Sequence, residues 1–563
     1  MKFTTQNKQA VAEGFDKKTL PLIKAIPAVK LIGNRARFDL TDANVKYVYA
    51  TFADADLTGF PDPAIQVPTI RNPFEFKTKP FKHQQDWFDT TCDATSYGIF
   101  WEMGLGKTKL ALDTASYLYS KGDIDTLLVI TLNGVHLNWV TKEIPTHLSD
   151  GCNAHIVAWD SSKVSGGTKY FMKELDKLYN HDGLTILAVN VEAFSRGPAL
   201  AFCQRLIKER EVLCVIDESH AIKEPKAART KAILKLRRDC KYRRVMTGTP
   251  VANSPLDVFT QMFFLDPEML GYKSYYAFRA RFAILEPIRQ MGGGILKHHG
   301  RVVETIVGYQ DVDKLQELLE PHSSRLTKAE CLDLPDKIYV RHPFVISDEQ
   351  RRMYKQLVDD TVTELRGERI STQMALTRMM RLHQIVCGFT VVDDSDEPTP
   401  ISEASNPRIK ALMSVVESVQ GKAIIWATYR FSLREIVDAL KTEYGAQSVV
   451  GYSGATPADM RPKVVDRFQN DPTCRFFVGQ PKAGGTGITL TAATDVIYYS
   501  NDYSLNIRQQ SEDRAHRIGQ NCAVTYTDLE AANTIDADII TALNDKFNIA
   551  AQITGDKLVE WLS

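Results

Sequence analysis

The stretch EVLCVIDESH (residues 211–220) places an apolar run directly before two adjacent carboxylates, Asp217 and Glu218. A short run rich in Val, Leu and Ile is typical of a strand that is buried on both faces of a parallel sheet. Groups at the carboxyl end of such a strand lie where open α/β sheets bind their ligands. The stretch therefore predicts an α/β fold with acidic groups at the ligand-binding edge of its sheet.

Upstream, the strand-like run GIFW (98–101) leads into the glycine-rich stretch EMGLGKT (102–108). Gly104 and Gly106 leave room for backbone N–H groups to surround a polyphosphate, and a helix beginning near Lys107 directs its positive end at the same anion. Lys107 is then expected to reach the β- and γ-phosphates, and Thr108 to supply a hydroxyl ligand for Mg²⁺. Trp101 stands where the general GxxxxGK[ST] pattern has its first glycine. This departure favours a helicase-type loop over that of a GTPase or kinase.

The two stretches together predict a site that hydrolyses ATP. Asp217 is expected to hold Mg²⁺, and Glu218 to orient and deprotonate the attacking water. ATP and Mg²⁺ are therefore the expected substrate and cofactor.

Apolar, β-branched runs recur in two series along the chain, with helical patterns between them. The first series comprises TLLVIT (126–131), HIVAW (155–159), LTILAVN (184–190), VLCVID (212–217) and RRVMTGT (243–249). The second comprises AIIWAT (423–428), SVVGYS (448–453), RFFVGQ (475–480), DVIYYS (495–500) and VTYTDL (524–529). Alternating strands and helices indicate parallel sheets covered by helices. We therefore expect two α/β lobes, each built on a parallel sheet.

The remaining segments complete the predicted domain organisation. Residues 265–400 are mainly helical in pattern, and a Gly-rich turn, MGGG (291–294), lies between two β-leaning stretches as at the tip of a hairpin. Prolines are frequent near the end of the N-terminal segment, which suits a linker. The predicted domains are a small N-terminal domain (1–75), lobe 1 (76–264), a mainly helical insertion and linker (265–400) and lobe 2 (401–563).

The bulk composition limits the class of protein. The chain has 563 residues, of which 44% are hydrophobic and 25% charged, and its formal net charge is zero. Affinity for nucleic acid must therefore come from a local basic surface. No apolar run reaches the roughly 18 residues of a membrane span, so no membrane partner is expected. Nine cysteines without a CxxC pair predict neither disulfides nor zinc, and favour a reducing, cytoplasm-like compartment.

Lobe 2 carries a pair of basic residues suited to the phosphates. The stretch QQSEDRAHRIGQ (509–520) places Arg514 and Arg517 three residues apart on one helical face. It follows a second glycine-rich stretch, AGGTG (483–487). A guanidinium can neutralise charge that develops on the γ-phosphoryl group, an effect worth roughly 10³–10⁵ in rate in arginine-finger enzymes. Both arginines are therefore expected to complete the site from lobe 2.

In this order the motifs resemble those of Swi/Snf-type ATPases of helicase superfamily 2, a family of DNA translocases. The stretches that carry the resemblance are PFKHQ (80–84), EMGLGKT (102–108), LLVITLNGVHLNWVTKEI (127–144) with Trp139, DESH (217–220), TGTPVANS (247–254), SRLTKAECLDLPDKIYV (324–340), GYSGATPADMRPKVVDRF (451–468) and AGGTG to RIGQ (483–520). The chain departs from the family at Thr486, usually leucine, and at SNDYS (500–504), which replaces an acidic-aromatic-proline segment. The resemblance covers roughly residues 76–540 and implies that the two parallel-sheet lobes are RecA-like.

The resemblance implies further site residues. Gln84 would read the adenine base, with Gln85 as an alternative. The other residues that it implies for ATP binding are Met103, Gly104, Leu105, Gly106, Gly485, Gly487 and Gln510. Those that would couple the nucleotide state to a DNA groove are His220, Thr247, Gly248 and Thr249.

The N-terminal segment has two open interpretations. KKTLPLIKAIPAVKLIGNRARFDLTDANVKYVY (17–49) faintly resembles the small substrate-recognition domain of annealing helicases, which bind branched DNA. In that case Lys30, Arg35 and Arg37 would contact phosphates. A small capping subdomain with incidental basic residues explains the same pattern equally well.

The sequence therefore predicts a DNA-dependent ATPase that translocates on double-stranded DNA and remodels DNA or protein–DNA complexes. Branched or forked DNA is a candidate substrate. Two alternatives stay open: a strand-separating DNA helicase of the same superfamily, and an ATP-driven remodeller of a protein partner such as a polymerase.

Overall fold

The computed structural model contains two compact units, Met1–Pro73 and Phe74–Ser563. The first unit ends two residues before the predicted boundary at residue 75. The residues that the structure describes are 2–6, 9–14, 16, 19–24, 29–32, 35–39, 48, 52, 55–57, 74–195, 197–288, 295, 297–298, 301–367, 372–391, 397–401, 406–457, 459–484 and 488–556.

The N-terminal unit is built on a small antiparallel sheet. Its strands are β1 (Lys2–Gln6), β2 (Gln9–Glu13), β3 (Lys30–Ile32) and β4 (Arg35–Asp39), in the order β1-β2-β4-β3, and a short helix, α1 (Leu20–Lys24), lies between β2 and β3 in the chain. Alternate residues of the strands face a core that contains Phe3, Ala10, Ala12 and Ala36. The opposite face of the sheet carries the exposed side chains of Lys30, Arg35 and Arg37, and the buried side chain of Val11.

Lobe 1 begins the second unit. Its strands are β5 (Ser96–Trp101), β6 (Thr126–Thr131), β7 (His155–Ala158), β8 (Thr185–Asn190), β9 (Val212–Asp217) and β10 (Tyr242–Met246). They form one parallel sheet in the order β5-β10-β9-β6-β8-β7. All six strand predictions in this lobe are confirmed.

Helices cover both faces of this sheet. They are α2 (Lys82–Thr91), α3 (Lys107–Ser120), α4 (Val135–Asn138), α5 (Ile144–His147), α6 (Ser161–Ser165), α7 (Lys169–Asn180), α8 (Pro198–Glu209), α9 (Ala228–Leu236) and α10 (Val258–Leu265), with a π-helical stretch, Trp139–Glu143, between α4 and α5. In β9, Cys214 and Ile216 face one apolar core, and Leu213 and Val215 face the other. Burial on both sides explains why the strand is apolar throughout.

The segment between the lobes contains helices and short strands. These elements are α11 (Tyr275–Phe282), β11 (Ala283–Pro287), β12 (Lys297–His298), β13 (Arg301–Val302), β14 (Glu304–Tyr309), α12 (Val312–Leu319), β15 (Ser323–Leu326), α13 (Lys328–Cys331), β16 (Lys337–Phe344), α14 (Asp348–Gly367), α15 (Thr372–Val386), β17 (Phe389–Val391) and β18 (Pro398–Pro400). Helices account for most of this regular structure, as predicted. Strands β11 and β14 pair antiparallel, as expected for the arms of the predicted hairpin, whose turn at 291–294 lies outside the described residues.

Two strands of this segment belong to the lobes rather than to an insertion. Strand β15 pairs with β5 at the edge of the lobe 1 sheet, and β16 becomes an edge strand of the lobe 2 sheet. The single domain assigned to residues 265–400 is therefore divided in the structure between both sheets.

Lobe 2 is a second parallel sheet covered by helices. Its elements are α16 (Pro407–Ser418), β19 (Lys422–Trp426), α17 (Arg430–Tyr444), β20 (Val449–Tyr452), α18 (Arg461–Asn470), β21 (Phe476–Gly479), α19 (Pro481–Gly484), β22 (Ala493–Tyr498), α20 (Leu505–Glu512), β23 (Val524–Ala531) and α21 (Ile535–Thr554). The sheet order is β16-β23-β22-β19-β21-β20. All five strands predicted here are confirmed, so both lobes have the expected RecA-like architecture.

The long helix α21 contacts both lobes. Near its start, Ile539 and Leu543 pack in a core with other lobe 2 residues. Near its end, Ile553 is part of a lobe 1 core that includes Leu315 of α12. Its 20 residues correspond to a length of about 30 Å.

Candidate active site

The glycine-rich loop joins the end of β5 to the start of α3. Its glycines have left-handed backbone conformations, with φ of +86° at Gly104 and +81° at Gly106, which residues with a Cβ rarely adopt. A Cβ at position 106 would also lie 2.0 Å from Nε2 of Gln84. The loop conformation therefore requires glycine at position 106 for both reasons.

Gln84 supports this loop. Its Nε2 donates to the carbonyl oxygen of Leu105 at 3.1 Å, and its Oε1 accepts from the backbone N–H of Phe81 at 3.0 Å. Gln85, the alternative, donates to Asp89 on its own helix instead. The sequence did not predict this supporting contact, and the contact of Gln84 with adenine stays a prediction.

Lys107 is the first residue of α3 and is buried. Its Nζ donates to the carbonyl oxygens of Trp101 at 2.9 Å and Glu102 at 3.2 Å. Burial lowers its pKa, and the negative charges of Glu218 and Asp217 oppose this effect. The ammonium is therefore held beside the two carboxylates that the sequence singled out.

Asp217 ends β9 and is fixed by two donors. Its Oδ2 accepts from the indole N–H of Trp139 at 2.8 Å, and its Oδ1 accepts from the backbone N–H of Glu218 at 3.0 Å. Burial, and then the negative charge of Glu218, raise the pKa of Asp217 to about 6. The family resemblance includes Trp139, but only the structure shows that it orients this carboxylate.

Glu218 has a left-handed backbone conformation, with φ of +53°, which is uncommon for a residue with a side chain. Its Oε2 lies 3.3 Å from Nδ1 of His220 and accepts from the hydroxyl of Thr247 at 3.4 Å. Burial acts to raise its pKa, but the hydrogen bond with His220 and the positive charges of Lys107 and Arg514 outweigh burial and lower it. Glu218 is therefore held in its ionised form.

Arg514 and Arg517 lie on the lobe 2 side of the same space. Arg514 is buried, and its Nε donates to the carbonyl oxygen of Gln510 at 3.1 Å. Burial lowers its pKa to about 10, while Glu218 across the cleft is one of the charges that raise it. Arg517 is half-buried and adds a second positive charge beside Arg514.

One cavity of about 710 Å³ brings most of the predicted residues together. Its lining includes Met103, Gly104, Gly106, Lys107, Thr108, Asp217, Glu218, Gln510, Arg514 and Arg517. Leu105 instead packs in the apolar core beneath the loop. Gly485, Thr486 and Gly487 lie outside the described residues. Among the predicted residues, the cavity thus combines a helix N-terminus, two carboxylates and three cations.

The cavity has donors of the types that Mg²⁺ prefers. Thr108 offers a hydroxyl oxygen and Asp217 a carboxylate oxygen. A cation beside Asp217 would also stabilise a carboxylate whose ionised form is disfavoured by burial. The residues present therefore fit the ion. The described part of the chain contains no group of three or more His, Cys, Asp or Glu side chains placed to hold a metal.

The predicted coupling residues lie where the lobes meet. His220 accepts at Nε2 from Nδ2 of Asn506, at 2.9 Å, and Thr249 donates its hydroxyl to Oδ1 of the same residue, also at 2.9 Å. Thr247 contacts His220 at 3.1 Å, and a Cβ at Gly248 would lie 3.3 Å from Cγ of Met103. Asn506, on α20 of lobe 2, lies within the stretch 483–520 that carries the family resemblance, but the resemblance assigned it no role, and it was therefore missed.

The three cations predicted in the N-terminal unit share one face of its sheet. Lys30 on β3 pairs directly with Arg37 on β4, and Arg35 lies two residues away on the same strand. All three side chains are exposed, and Arg35 forms an ion pair with Glu13 at 2.7 Å. This face is opposite the apolar core, because Ala36 points the other way.

Family comparisons agree with the motifs. The SNF2-related domain matches residues 86–390, which is more than half of the chain, and the helicase conserved C-terminal domain matches residues 407–519. The chain therefore belongs to the Swi/Snf-type ATPases of helicase superfamily 2.

Curated relatives are similar over part of their length. The DNA annealing helicase and endonuclease ZRANB3 of Bos taurus is 25% identical over 469 residues, which are 81% of this chain and 38% of the relative. The putative ATP-dependent helicase/translocase YwqA of Bacillus subtilis is 26% identical over 60% of this chain and 35% of its own. The human TATA-binding protein-associated factor 172 is 26% identical over 60% of this chain and 20% of its own length. The chain thus spans less than half the length of these relatives.

A solved structure is similar in sequence along most of the chain. The Sulfolobus solfataricus SWI2/SNF2 ATPase core in complex with dsDNA is 23% identical and covers 87% of this chain and 100% of its own, with a TM-score of 0.38. In the described part of the chain, no helix is both long enough and apolar enough to cross a membrane.

Proposed function

We propose that the protein is a DNA-stimulated ATPase that translocates on double-stranded DNA and remodels DNA or protein–DNA complexes. The observation that carries this proposal is that Glu218 of lobe 1 and Arg514 of lobe 2 face the same space, where the charge of each favours the ionised form of the other. The two groups line one cavity with the glycine-rich loop. Closing the lobes then completes the site, which is what a motor driven by nucleotide hydrolysis requires.

Lobe 1 would bind the phosphates. The N-terminus of α3 and the loop before it offer backbone N–H groups to an anion. Lys107 would exchange its contacts with the carbonyls of Trp101 and Glu102 for oxygens of the β- and γ-phosphates. Burial makes its ammonium poorly hydrated, so an anionic partner would gain from the exchange.

Thr108 and Asp217 would hold Mg²⁺, which when bound supplies charge neutralisation on the phosphate oxygens. Trp139 orients Asp217 for this task through its 2.8 Å hydrogen bond. Gln84 would hold the loop and offer its remaining N–H to the adenine base.

Glu218 would orient the attacking water and accept its proton. A base must be ionised before it can accept a proton, and the contacts of Glu218 with His220 and nearby cations favour the ionised form. Its carboxylate also lies in the same cavity as the phosphate loop. The position and the charge of Glu218 both support this role.

Arg514 and Arg517 would stabilise charge that develops on the γ-phosphoryl group. Arg514 is already buried and oriented by the backbone of Gln510, so little reorganisation is needed at the moment of reaction. Because Arg517 is more exposed, its contribution should depend more strongly on how far the lobes close.

Translocation requires that a change in the nucleotide state changes how the two lobes contact DNA. His220, Thr247 and Thr249 connect Glu218 to lobe 2, which supports a coupling role. The relatives named as a DNA annealing helicase and as a helicase/translocase support DNA as the substrate along which the protein moves. The exposed face formed by Lys30, Arg35 and Arg37 supports recognition of forked DNA by the N-terminal unit.

The test is the ATP hydrolysis rate with single-stranded, duplex and forked DNA in parallel, with Lys107→Ala as the inactive control. We expect duplex DNA to stimulate turnover more than single-stranded DNA. A strand-displacement assay should show no unwinding of the duplex. A triplex-displacement assay should show clear removal of the third strand. An ATP hydrolysis rate that is the same with and without each of the three DNAs would overturn the proposal. Efficient strand displacement would instead identify the protein as a strand-separating helicase.

A further inference from the structure

We propose that Asn506 is a positioning residue that transmits closure of lobe 2 to the carboxylate of Glu218 through His220. This inference rests on the proposed ATPase function, because it assigns a task in the same site. It is carried by three hydrogen bonds to one amide. Nδ2 of Asn506 donates to His220 at 2.9 Å, and Oδ1 accepts from Thr249 at 2.9 Å and from Gln510 at 3.0 Å.

The partners fix the orientation of the amide. Two donors, the Thr249 hydroxyl and the Gln510 Nε2, converge on one end of Asn506, so that end is the carbonyl oxygen. The other end, the NH₂ group, then faces Nε2 of His220. A ring nitrogen that accepts a hydrogen bond carries no proton, so the neutral ring is protonated at Nδ1.

The proton at Nδ1 faces the catalytic carboxylate. Nδ1 of His220 lies 3.3 Å from Oε2 of Glu218 and 3.1 Å from the hydroxyl of Thr247. Thr247 also donates to the same carboxylate oxygen at 3.4 Å. Asn506 therefore selects the form of His220 that can donate to Glu218, although Asn506 does not touch Glu218 itself.

Asn506 is fixed to lobe 2 and not to lobe 1. Helix α20 is capped by Ser504, whose hydroxyl accepts from the N–H of Ile507. Arg508, which is 2% exposed, ties the helix to Asp528 of β23 at 2.9 Å. When the lobes separate, Asn506 must therefore move with lobe 2, and its contacts with His220 and Thr249 must break.

Few other side chains could replace this amide. The site requires one donor, for His220, and one acceptor, for Thr249, at opposite ends of a short planar group. An apolar residue would leave both lobe 1 groups without their cross-lobe partners, which disfavours the closed arrangement. The loss should appear in the rate of hydrolysis and in lobe closure, while ATP contacts in lobe 1 remain.

The test variant is Asn506→Leu in the full chain. Its matched control is Gln509→Leu, the same type of change three residues further along α20, since the amide oxygen of Gln509 has no hydrogen-bond partner among the described residues. Closure is measured by energy transfer between dyes at Lys173→Cys, an exposed site on α7 of lobe 1, and native Cys522, an exposed site in lobe 2. The half-buried Cys331 is replaced by Ser throughout.

With Mg²⁺, a non-hydrolysable ATP analogue and duplex DNA, Asn506→Leu should reduce the closed population. It should also lower kcat about tenfold, roughly the loss of one buried hydrogen bond in rate terms, and leave KM for ATP within about twofold. Gln509→Leu should match the wild type in both measurements. In a His220→Ala background, Asn506→Leu should lose less closure than in the wild-type background, because only its contact with Thr249 is left to break.

Two results would overturn the inference. One is an Asn506→Leu protein with wild-type closure and kcat; the other is a loss of closure of equal size with and without His220. Closure does not require turnover, so the two proposals can fail separately. A wild type that closes on the analogue but hydrolyses no ATP would refute the proposed function, and the variants would still decide whether Asn506 controls closure.

Discussion

The two faces of the cleft hold their charged groups in different ways. On lobe 1, Lys107, Asp217 and Glu218 mix both signs of charge and each has protein partners at short range. On lobe 2, the cavity lining is mainly positive: Arg514 and Arg517 lie beside a single carboxylate, Asp513, which is paired with Lys328. Arg517 is half-buried. The comparison suggests a division of labour, in which lobe 1 binds the nucleotide and lobe 2 accelerates its hydrolysis.

The largest effects are expected on lobe 1. Lys107→Ala removes the cation that would serve the phosphates and should weaken both ATP binding and turnover. Glu218→Gln should lower turnover on the order of 10³-fold while ATP still binds, because the glycine-rich loop is unchanged. Turnover at saturating ATP and DNA and binding of a fluorescent nucleotide check both variants. Near-normal turnover of Glu218→Gln would remove Glu218 from its assigned role.

Arg514→Ala tests the lobe 2 side of the comparison. We expect its kcat to fall on the order of 10²-fold with little change in ATP affinity, because a cation aimed at the transition state acts mainly there. Arg517→Ala should have a smaller effect, since its side chain is more exposed and its charge better screened. Steady-state kinetics and equilibrium binding of both variants provide the measurement. A loss of affinity with unchanged kcat in the Arg514 variant would reverse the proposed division.

Nucleotide binding to lobe 1 should depend on pH. Burial, followed by the negative charge of Glu218, raises the pKa of Asp217 to about 6. Only the ionised carboxylate can hold Mg²⁺, so a bound proton competes with the ion. Affinity for the Mg²⁺–nucleotide complex should therefore fall as the pH decreases through about 6, and be about tenfold weaker at pH 5 than at pH 7.

Trp139→Phe sharpens this pH prediction. The substitution removes the indole N–H that favours the ionised form of Asp217, so the midpoint of the affinity curve should move to higher pH. Nucleotide titrations between pH 5 and pH 8 measure both midpoints. A flat curve in the wild type would show that Asp217 does not hold the ion.

The smallest effect is expected outside the cleft. Replacing Lys30, Arg35 and Arg37 together by Glu should lower the ratio of forked to duplex stimulation about two- to threefold and leave duplex stimulation unchanged. A matched control reverses three exposed lysines of lobe 1, Lys163, Lys169 and Lys173, which alters the net charge equally. An unchanged ratio would make the N-terminal unit a structural cap.

The positions of the strands and motifs could be predicted because each depends on local patterns. Apolar runs such as VLCVID and AIIWAT need burial on both faces, and a parallel sheet is the arrangement that provides it. Glycines with left-handed conformations fixed the turn before α3 in the same way. The sequence also located the groups that line the cavity, since strand ends and helix starts meet at one edge of a sheet.

The missed features depend on contacts between distant parts of the chain. Strands β15 and β16 join the two sheets, but their short sequences do not specify which sheet they extend. In the divergent segment SNDYS, Ser504 caps α20 and Asn501 accepts from Arg508, so its residues support the helix that carries Asn506. Pair contacts of this kind leave no periodic signal in a single sequence.

The helix α21 limits how the lobes can move. Ile539 and Leu543, in its first half, pack in the lobe 2 core. Just beyond its end, Asp556 forms an ion pair with Arg325 of β15 at 2.7 Å. A helix attached to both lobes restricts the separation of the lobes more than it restricts their rotation about the helix axis. Under the proposed translocation, the lobes would then rotate about an axis along this helix, about 30 Å long. Displacements would be small near the helix and larger at the far side of the cleft.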